Sequence, residues 1–202
     1  MKLLKLSAYS LFVVILSGCS WVYNLESNNE EIDTNNFDIS EADLSVPDFE
    51  FVDQYGEDFG SKDLEGHFWL ADMVFTNCPT VCPIMTPNLL SLQEAVINEG
   101  HDISIVSFTV DPENDTVERL AKYTENMGIG NGWNFLTGYT HEEIKKFSVD
   151  VFKAPVQKTE DDILHITKFF LMDESGNIIR TYDGMETDQE DILKDLIEVL
   201  EN

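Results

Sequence analysis

The chain of 202 residues carries 12 basic and 39 acidic side chains, a formal net charge of −27, and 43% of its residues are apolar. This length and apolar content suffice for one compact core, which excludes a fibrous or fully disordered protein. The acidic surface repels nucleic acid and anionic lipid headgroups, so phosphate-rich partners are poor candidates.

The N-terminus resembles a bacterial lipoprotein signal peptide over residues 1–18. Lys2 and Lys5 precede an apolar stretch at residues 6–16, which is shorter than the ~20 residues that span a bilayer. The sequence Leu-Ser-Gly-Cys ending at Cys19 resembles a lipobox, in which the cysteine is acylated and becomes the first mature residue. We therefore expect a lipid anchor at Cys19 on the extracytoplasmic face of the bacterial cell membrane. The alternative is an ordinary cleaved signal with a leftover thiol.

Residues 19–45 are rich in Asn, Asp, Glu and Ser and show no sustained helical or strand period. Such a composition buries too little apolar surface to offset the entropy of the chain. We expect these residues to be a flexible membrane tether and residues 46–202 to form the folded domain.

The domain opens with a predicted β-hairpin, from Phe49 to Val52 and back through Phe59. The apolar run from Phe68 to Phe75 is typical of a strand that is covered on both faces. An apolar stripe then predicts a helix that ends near Gly100; it consists of Met85, Leu89, Leu92 and Val96. A second parallel strand follows at residues 103–110, which completes a βαβ unit.

The second half of the domain contains predicted helices at residues 116–127 and 140–152, with a short strand at 133–136 between them. A polar loop at 153–164 precedes a hairpin, whose strands lie at 169–172 and 178–182, and a last helix starts at about residue 187. This order of elements resembles the thioredoxin-like α/β fold with an N-terminal β-hairpin and a mid-chain insertion.

Two cysteines, Cys78 and Cys82, lie between the first parallel strand and its helix, where open α/β sheets hold their ligands. If residues 78–82 form the first helical turn, both sulfur atoms lie on the same face of the helix. The helix N-terminus favours the thiolate form, which binds metals and attacks disulfides. Structural zinc needs four ligands and the chain has no second cysteine pair, so two thiolates with an imidazole suit copper better. The alternative is that two small apolar residues happen to lie four apart.

Four histidines could complete such a site, and the predicted topology separates them. His67 and His101 precede the two parallel strands and fall at the opposite edge of the sheet, while His141 begins a helix. His165 precedes the strand at 169–172. If that strand is antiparallel, its start lies level with the two thiols, and the polar loop before it could let His165 move toward them.

Three motifs together resemble the Sco/SenC family of membrane-tethered copper proteins, which act in cytochrome c oxidase assembly. They are the segment from Phe75 to Pro83, the sequence VDPEND at residues 110–115, and His165 ahead of Phe-Phe-Leu. The resemblance implies that Cys78, Cys82 and His165 bind copper, as Cu(I) or Cu(II). It also implies that the chain is a carrier rather than an enzyme and delivers copper to the CuA site of oxidase subunit II. Asp111 matches the family pattern, although a turn or capping role is at least as good an explanation for it.

Other functions remain open from the sequence. Cys78 and Cys82 could form the redox pair of a thiol-disulfide oxidoreductase that reduces the CuA-site cysteines, or they could be a structural clasp. A peroxidase is a weaker alternative, because Arg119 and Arg180, the only arginines, have no evident placement at the thiols. The sequence identifies neither a copper donor nor a thiol reductant.

Overall fold

The computed structural model describes residues 37–160 and 162–202. The strands and α-helices of this described part follow one another along the chain with the following bounds. They are β1 (Glu50–Val52), β2 (Asp58–Gly60), β3 (Trp69–Val74), α1 (Cys82–Asn98), β4 (Ser104–Thr109), α2 (Val117–Met127), β5 (Trp133–Leu136), α3 (His141–Phe152), β6 (Gln157–Lys158), β7 (Ile163–Leu164), β8 (Lys168–Met172), β9 (Ile178–Asp183) and α4 (Glu190–Leu200).

Five strands form the central sheet in the order β5-β4-β3-β8-β9. Strands β3, β4 and β5 are mutually parallel, whereas β8 runs antiparallel to β3 and β9 antiparallel to β8. Strands β1 and β2 form the separate N-terminal hairpin. This topology confirms the predicted thioredoxin-like α/β fold.

Strand β3 is the centre of the fold. All six of its residues are buried, as the continuous apolar run predicts. Asp72 is its one charged residue, and the Ser107 hydroxyl on the neighbouring β4 donates a hydrogen bond to its carboxylate over 2.5 Å. A buried carboxylate therefore lies within an otherwise apolar layer.

Helix α1 confirms the predicted apolar stripe, because Met85, Leu89, Leu92 and Val96 are each at most 1% exposed. Residues 78–82 do not form its first turn, which was the arrangement considered from the sequence, because the helix begins at Cys82. The backbone N–H of Cys78 instead donates to the carbonyl of Phe75 over 3.2 Å, which closes a turn directly after β3. Pro83 is the second residue of the helix and lies in its first turn, where a missing N–H donor costs little.

Residues 37–45, expected to belong to the tether, are ordered against strand β9. The Thr181 N–H donates to Phe37 O over 3.0 Å and the Ile178 N–H to Leu44 O over 2.9 Å. The expected boundary at residue 46 is corrected accordingly, because the folded part already includes Phe37. The polar composition of this segment does not prevent the contacts, because they are hydrogen bonds between backbone groups.

The segment 153–164 is not the irregular loop that its polar composition predicts. It contains a short antiparallel hairpin, in which β6 pairs with β7. Thr159 supports the turn of this hairpin, because its N–H and its hydroxyl both donate to the carbonyl of Asp162 over 2.8 Å. The hairpin leads directly into His165.

The expected signal peptide, Cys19 and residues 20–36 lie outside the described residues. Of the helices in the described part, none has the length and apolar character needed to cross a membrane.

Candidate metal centre

Cys78, Cys82 and His165 meet at one rim of the sheet. One ligand atom from each lies within 4.8 Å of the other two. The Cys82 Sγ is 3.8 Å from His165 Nε2, and the Cys82 N–H donates to Cys78 Sγ over 3.3 Å. Both thiols are free. The structure thus brings together the three residues that sequence reasoning selected.

The topology explains why His165 reaches the thiols. Strand β8 is antiparallel to β3, with Met172 opposite Trp69. The start of β8 therefore lies level with the end of β3, next to Cys78. The position of His165 follows from this reversal of strand direction.

The His165 ring is held in one orientation. Its Nδ1 lies 2.9 Å from the carbonyl oxygen of Ile166, and its ring packs edge-on against Phe75 with centroids 5.9 Å apart. Because a carbonyl oxygen only accepts, Nδ1 donates this hydrogen bond, and Nε2 is the ring nitrogen that lies on the side of Cys82, where a metal ion would bind.

The pKa values of the two thiols are shifted in opposite directions. The hydrogen bond from the Cys82 thiol lowers the pKa of Cys78 to about 3, helped by hydrogen bonds from His165 and from the N–H groups of Cys82 and Thr80, although burial opposes the shift. The same thiol–thiol bond, together with burial, raises the pKa of Cys82. Cys78 is also the more exposed of the two, at 9% against 3%. Cys78 is therefore the thiolate and the more accessible nucleophile of the pair.

The geometry fits a soft metal ion. Ligands that bind one ion at about 2.0–2.3 Å lie roughly 3.5–4 Å from one another, and the Cys82 Sγ and His165 Nε2 already have such a spacing. Thiolates select Cu(I), and imidazole accepts both copper oxidation states. Small side-chain adjustments would let all three residues share one ion.

The β6–β7 hairpin is tied to the rim by exposed polar contacts. The Thr80 hydroxyl, between the two cysteines, donates to Asp162 Oδ2 over 3.1 Å. Lys158 forms an ion pair with Glu113 over 3.0 Å. The first contact connects the hairpin before His165 to the segment that carries the thiols, and the second connects it to the loop after β4. Both restrain the expected mobility of His165.

The other three histidines lie away from the centre, as expected. His67 and His101 line a small cavity of about 220 Å³, which also includes Glu174 and Leu200. His141 begins α3, and its Nδ1 lies 3.1 Å from the carbonyl oxygen of Val110.

Sequence reasoning missed two carboxylates near the centre. Burial raises the pKa of Asp72 to about 6, against the lowering effects of the Ser107 hydrogen bond and of His165. Asp115 is fully buried, and burial raises its pKa as well. The sequence does show an acidic residue inside the apolar run of β3, and this pattern could have identified Asp72 as a functional candidate. In the VDPEND motif, Asp111 accepts a hydrogen bond from the Asn114 side chain over 2.8 Å, which is the turn role considered for it.

Arg119, which had no evident placement from the sequence, lies next to the thiol segment in the structure. Its Nε donates to the Thr76 hydroxyl over 2.7 Å, and its Nη2 donates to the Asn77 side chain. Asn77 immediately precedes Cys78. No sequence period could reveal this contact, because the start of α2 meets the turn after β3 only in the folded chain.

A thioredoxin-like domain that brings two thiols and an imidazole to one rim of its sheet defines a class of soft-metal or thiol–disulfide proteins. Within that class, the chain belongs to the SCO1/SenC family, whose sequence profile matches residues 38–201.

Solved structures of relatives agree with this assignment. A SCO1/SenC family lipoprotein from Bacillus anthracis is 40% identical, with a TM-score of 0.75 over 78% of this chain and 96% of that one. BsSco, described as having a disulfide switch and as a member of the Sco family of cytochrome c oxidase assembly proteins, is 38% identical, with a TM-score of 0.70 over 77% and 92%. Copper-bound ScoI from Arabidopsis thaliana is 27% identical, with a TM-score of 0.66 over 78% and 99%.

Proposed function

We propose that the chain is a copper carrier that binds one copper ion through Cys78, Cys82 and His165. The observation that carries the proposal is the convergence of three ligand atoms within 4.8 Å. In the described residues this group has three members, whereas structural zinc takes four ligands and thiolates favour Cu(I). Copper is the cargo of the protein, and the copper-bound plant relative supports this choice of metal.

Each side chain has a distinct part in holding and releasing the ion. Cys78 supplies a thiolate that is already ionised, and Cys82 becomes a ligand when it loses its proton to solvent. His165 presents Nε2 in a fixed orientation. Because the centre lies at the rim, the thiols of a partner can approach and replace these ligands one at a time.

The proposed recipient is the CuA site of cytochrome c oxidase subunit II. The description of BsSco as a member of a family of cytochrome c oxidase assembly proteins supports a role in assembling this enzyme. The choice of CuA follows from the family resemblance of the three motifs.

We further propose that Cys19 carries a lipid anchor, which holds the domain at the extracytoplasmic face of the bacterial membrane. The lipobox-like sequence before Cys19 supports the anchor, as does the lipoprotein relative from Bacillus anthracis. Residues 20–36 would then connect the anchor to the folded part. The acidic surface of the domain keeps it away from anionic headgroups.

Copper titration of the full-length chain in detergent tests the proposal. The unmodified chain should bind about one copper ion, and Cys78→Ser and Cys82→Ser should lose it. His165→Ala should weaken binding by roughly 10- to 100-fold, as the loss of one ligand from a small set implies. His67→Ala is the matched control and should bind as the unmodified chain does. Stoichiometric copper binding by the double Cys→Ser variant would contradict the proposal.

A second candidate function, thiol–disulfide exchange, is favoured by the two free, neighbouring thiols. The Cys78 thiolate would attack a disulfide of the partner and release one partner thiolate. The Cys82 thiol, after losing its proton, would attack the resulting mixed disulfide. The products are a Cys78–Cys82 disulfide and a reduced partner, so two electrons pass to the partner.

One substitution separates the two functions. His165→Ala removes a copper ligand but neither sulfur atom. If exchange is the main activity, this variant should reduce a disulfide substrate nearly as fast as the unmodified chain. If copper carriage is the activity, this variant should bind copper more weakly and transfer correspondingly less of it.

A further inference from the structure

Arg119 occupies a position next to the metal centre that the proposed function does not explain. The chain contains two arginines among 202 residues, and this one lies in the first turn of α2 with 41% of its side chain exposed. Its guanidinium contacts the two residues that immediately precede Cys78. Arg119 therefore contacts the turn that fixes the first thiol.

A buried carboxylate completes this arrangement. Asp115 accepts hydrogen bonds from the Thr76 N–H over 3.1 Å, from the Thr76 hydroxyl over 2.5 Å, and from the Thr109 hydroxyl at the end of β4 over 2.5 Å. Arg119 Nε lies 3.8 Å from the same carboxylate. The turn after β3 is thus bonded to the neighbouring strand through its backbone and its side chains.

We propose that Thr76, Asn77, Asp115 and Arg119 form a clamp that positions Cys78 for metal binding and disulfide formation. Asn77 is adjacent to Cys78, and Phe75, at the other end of the clamped segment, packs against the His165 ring. Holding residues 76 and 77 therefore fixes the direction in which Cys78 Sγ points. It also fixes the surface against which the imidazole rests. The inference rests on the proposed function, and it assigns Arg119 a positioning role at that site.

A purely structural role and a positioning role predict different measurements. Loss of a structural contact lowers the free energy of unfolding, whereas loss of a group that orients a metal ligand typically changes metal affinity by 10- to 100-fold. Arginine suits the clamp because its planar fork donates to two acceptors at once, which a lysine ammonium cannot do in the same geometry.

The test compares Arg119→Gln, Arg119→Lys and Asn77→Ala in the full-length chain in detergent. Cu(I) affinity is measured by competition with a chromogenic chelator. We expect a loss of about 10- to 100-fold for Arg119→Gln, with partial recovery in Arg119→Lys. Asn77→Ala removes one of the two side-chain hydrogen bonds of Arg119 and should give a smaller loss than Arg119→Gln.

Arg180→Gln is the matched control. Arg180 pairs with Asp38 over 2.9 Å and with Asp195 over 3.2 Å on the other side of the sheet, and 18% of its side chain is exposed. Its loss should lower thermal stability and leave copper affinity unchanged. If Arg180→Gln weakens copper binding as much as Arg119→Gln does, the effect reports general stability and the clamp is rejected.

A metal-free measurement separates failure of the clamp from failure of the copper proposal. The equilibrium of the Cys78–Cys82 disulfide with a glutathione buffer depends on how well the two thiols are held together. Arg119→Gln should lower the equilibrium constant for disulfide formation by about fivefold or more. Even if the unmodified chain bound no copper, this shift would support the clamp, whereas a change of less than about twofold would overturn it.

Discussion

The Nε2 atom of His165 lies 3.8 Å from the Sγ of Cys82, although 83 residues separate them along the chain. The contact depends on β8 running antiparallel to β3, because a parallel β8 would begin at the opposite end of the sheet. The donor set is therefore a product of topology, and strand order and direction determine which histidine can serve in it.

Cys78 should remain reactive at acidic pH. Because its pKa is lowered to about 3, the thiolate is present across the range from pH 5 to 8, and its alkylation rate by iodoacetamide should be nearly constant there. An ordinary thiol, with a pKa of about 8.5, loses reactivity about tenfold per pH unit over the same range. Fragmentation mass spectrometry of the metal-free protein would distinguish modified Cys78 from modified Cys82.

Cys82→Ala supplies the control for this profile. It removes the thiol whose hydrogen bond is the largest cause of the lowered pKa of Cys78. The rate of Cys78 alkylation should then rise with pH between 5 and 8. A flat profile in this variant would show that the Cys82 thiol is not the cause.

Asp72 should make the protein less stable as pH rises from about 4 to about 7. Its pKa is raised from 3.8 to about 6 by burial, so ionisation is disfavoured in the folded state. The penalty sets in as the pH rises past 3.8 and is complete about one unit above the folded-state pKa. The shift of 6 − 3.8 = 2.2 corresponds to about 3 kcal/mol. Asp72→Asn should remove this pH dependence. Between pH 4 and pH 7, the free energy of unfolding of the variant minus that of the unmodified chain should therefore rise by about 3 kcal/mol.

Urea unfolding of both proteins at pH 4 and pH 7 measures the difference. Three titratable groups interact electrostatically with Asp72. His165, before β8, lowers the pKa of Asp72, whereas Asp72 raises the pKa values of Cys82 at the start of α1 and Tyr123 on α2. Repeating the comparison in a His165→Ala background isolates Asp72 from the imidazole. An equal stability difference at both pH values would contradict the assignment.

Thr80→Val should loosen the β6–β7 hairpin without unfolding the domain. The substitution removes the hydroxyl that donates to Asp162, so the hairpin loses one of its ties to the thiol segment. Amide hydrogen exchange at residues 157–164 should become faster, because local opening costs less. Exchange within β3 and β4 is the internal reference and should be unchanged. Unaltered exchange in the hairpin would mean that this bond does not restrain it.

Gly60→Ala should destabilise the N-terminal hairpin. A Cβ at residue 60 would lie 2.2 Å from the backbone oxygen of Phe49, so one strand must move. We expect a loss of about 1–3 kcal/mol in thermal or urea unfolding, as is typical of overpacking. Gly130→Ala is the control, because an added Cβ there meets no atom within 4 Å. Equal effects from both substitutions would refute the steric explanation.

Local patterns in the sequence predicted the parts of the fold that have a strong period. The continuous apolar run gave β3, and the spacing from Met85 to Val96 gave α1. The fold resemblance then placed His165 beside the thiols. The sequence did not predict β6 and β7, because two-residue strands are too short to show an alternating pattern.

Two features of the site depend on contacts that no local pattern encodes. The Arg119 contacts join the start of a helix to a turn more than forty residues earlier. Asp115 resembles any acid before a helix until Thr76 and Thr109 are seen to surround it. In both cases polar side chains that are far apart in the sequence form contacts in the folded chain. Hydrophobic periodicity carries no information about contacts of this kind.

Residues 37–45 cover the free side of β9, the last strand of the central sheet. A shortened chain that begins at residue 46 would leave backbone N–H and C=O groups of β9 open to strands of other molecules. We expect such a truncated protein to self-associate in a concentration-dependent way, whereas a chain that retains Phe37 should not.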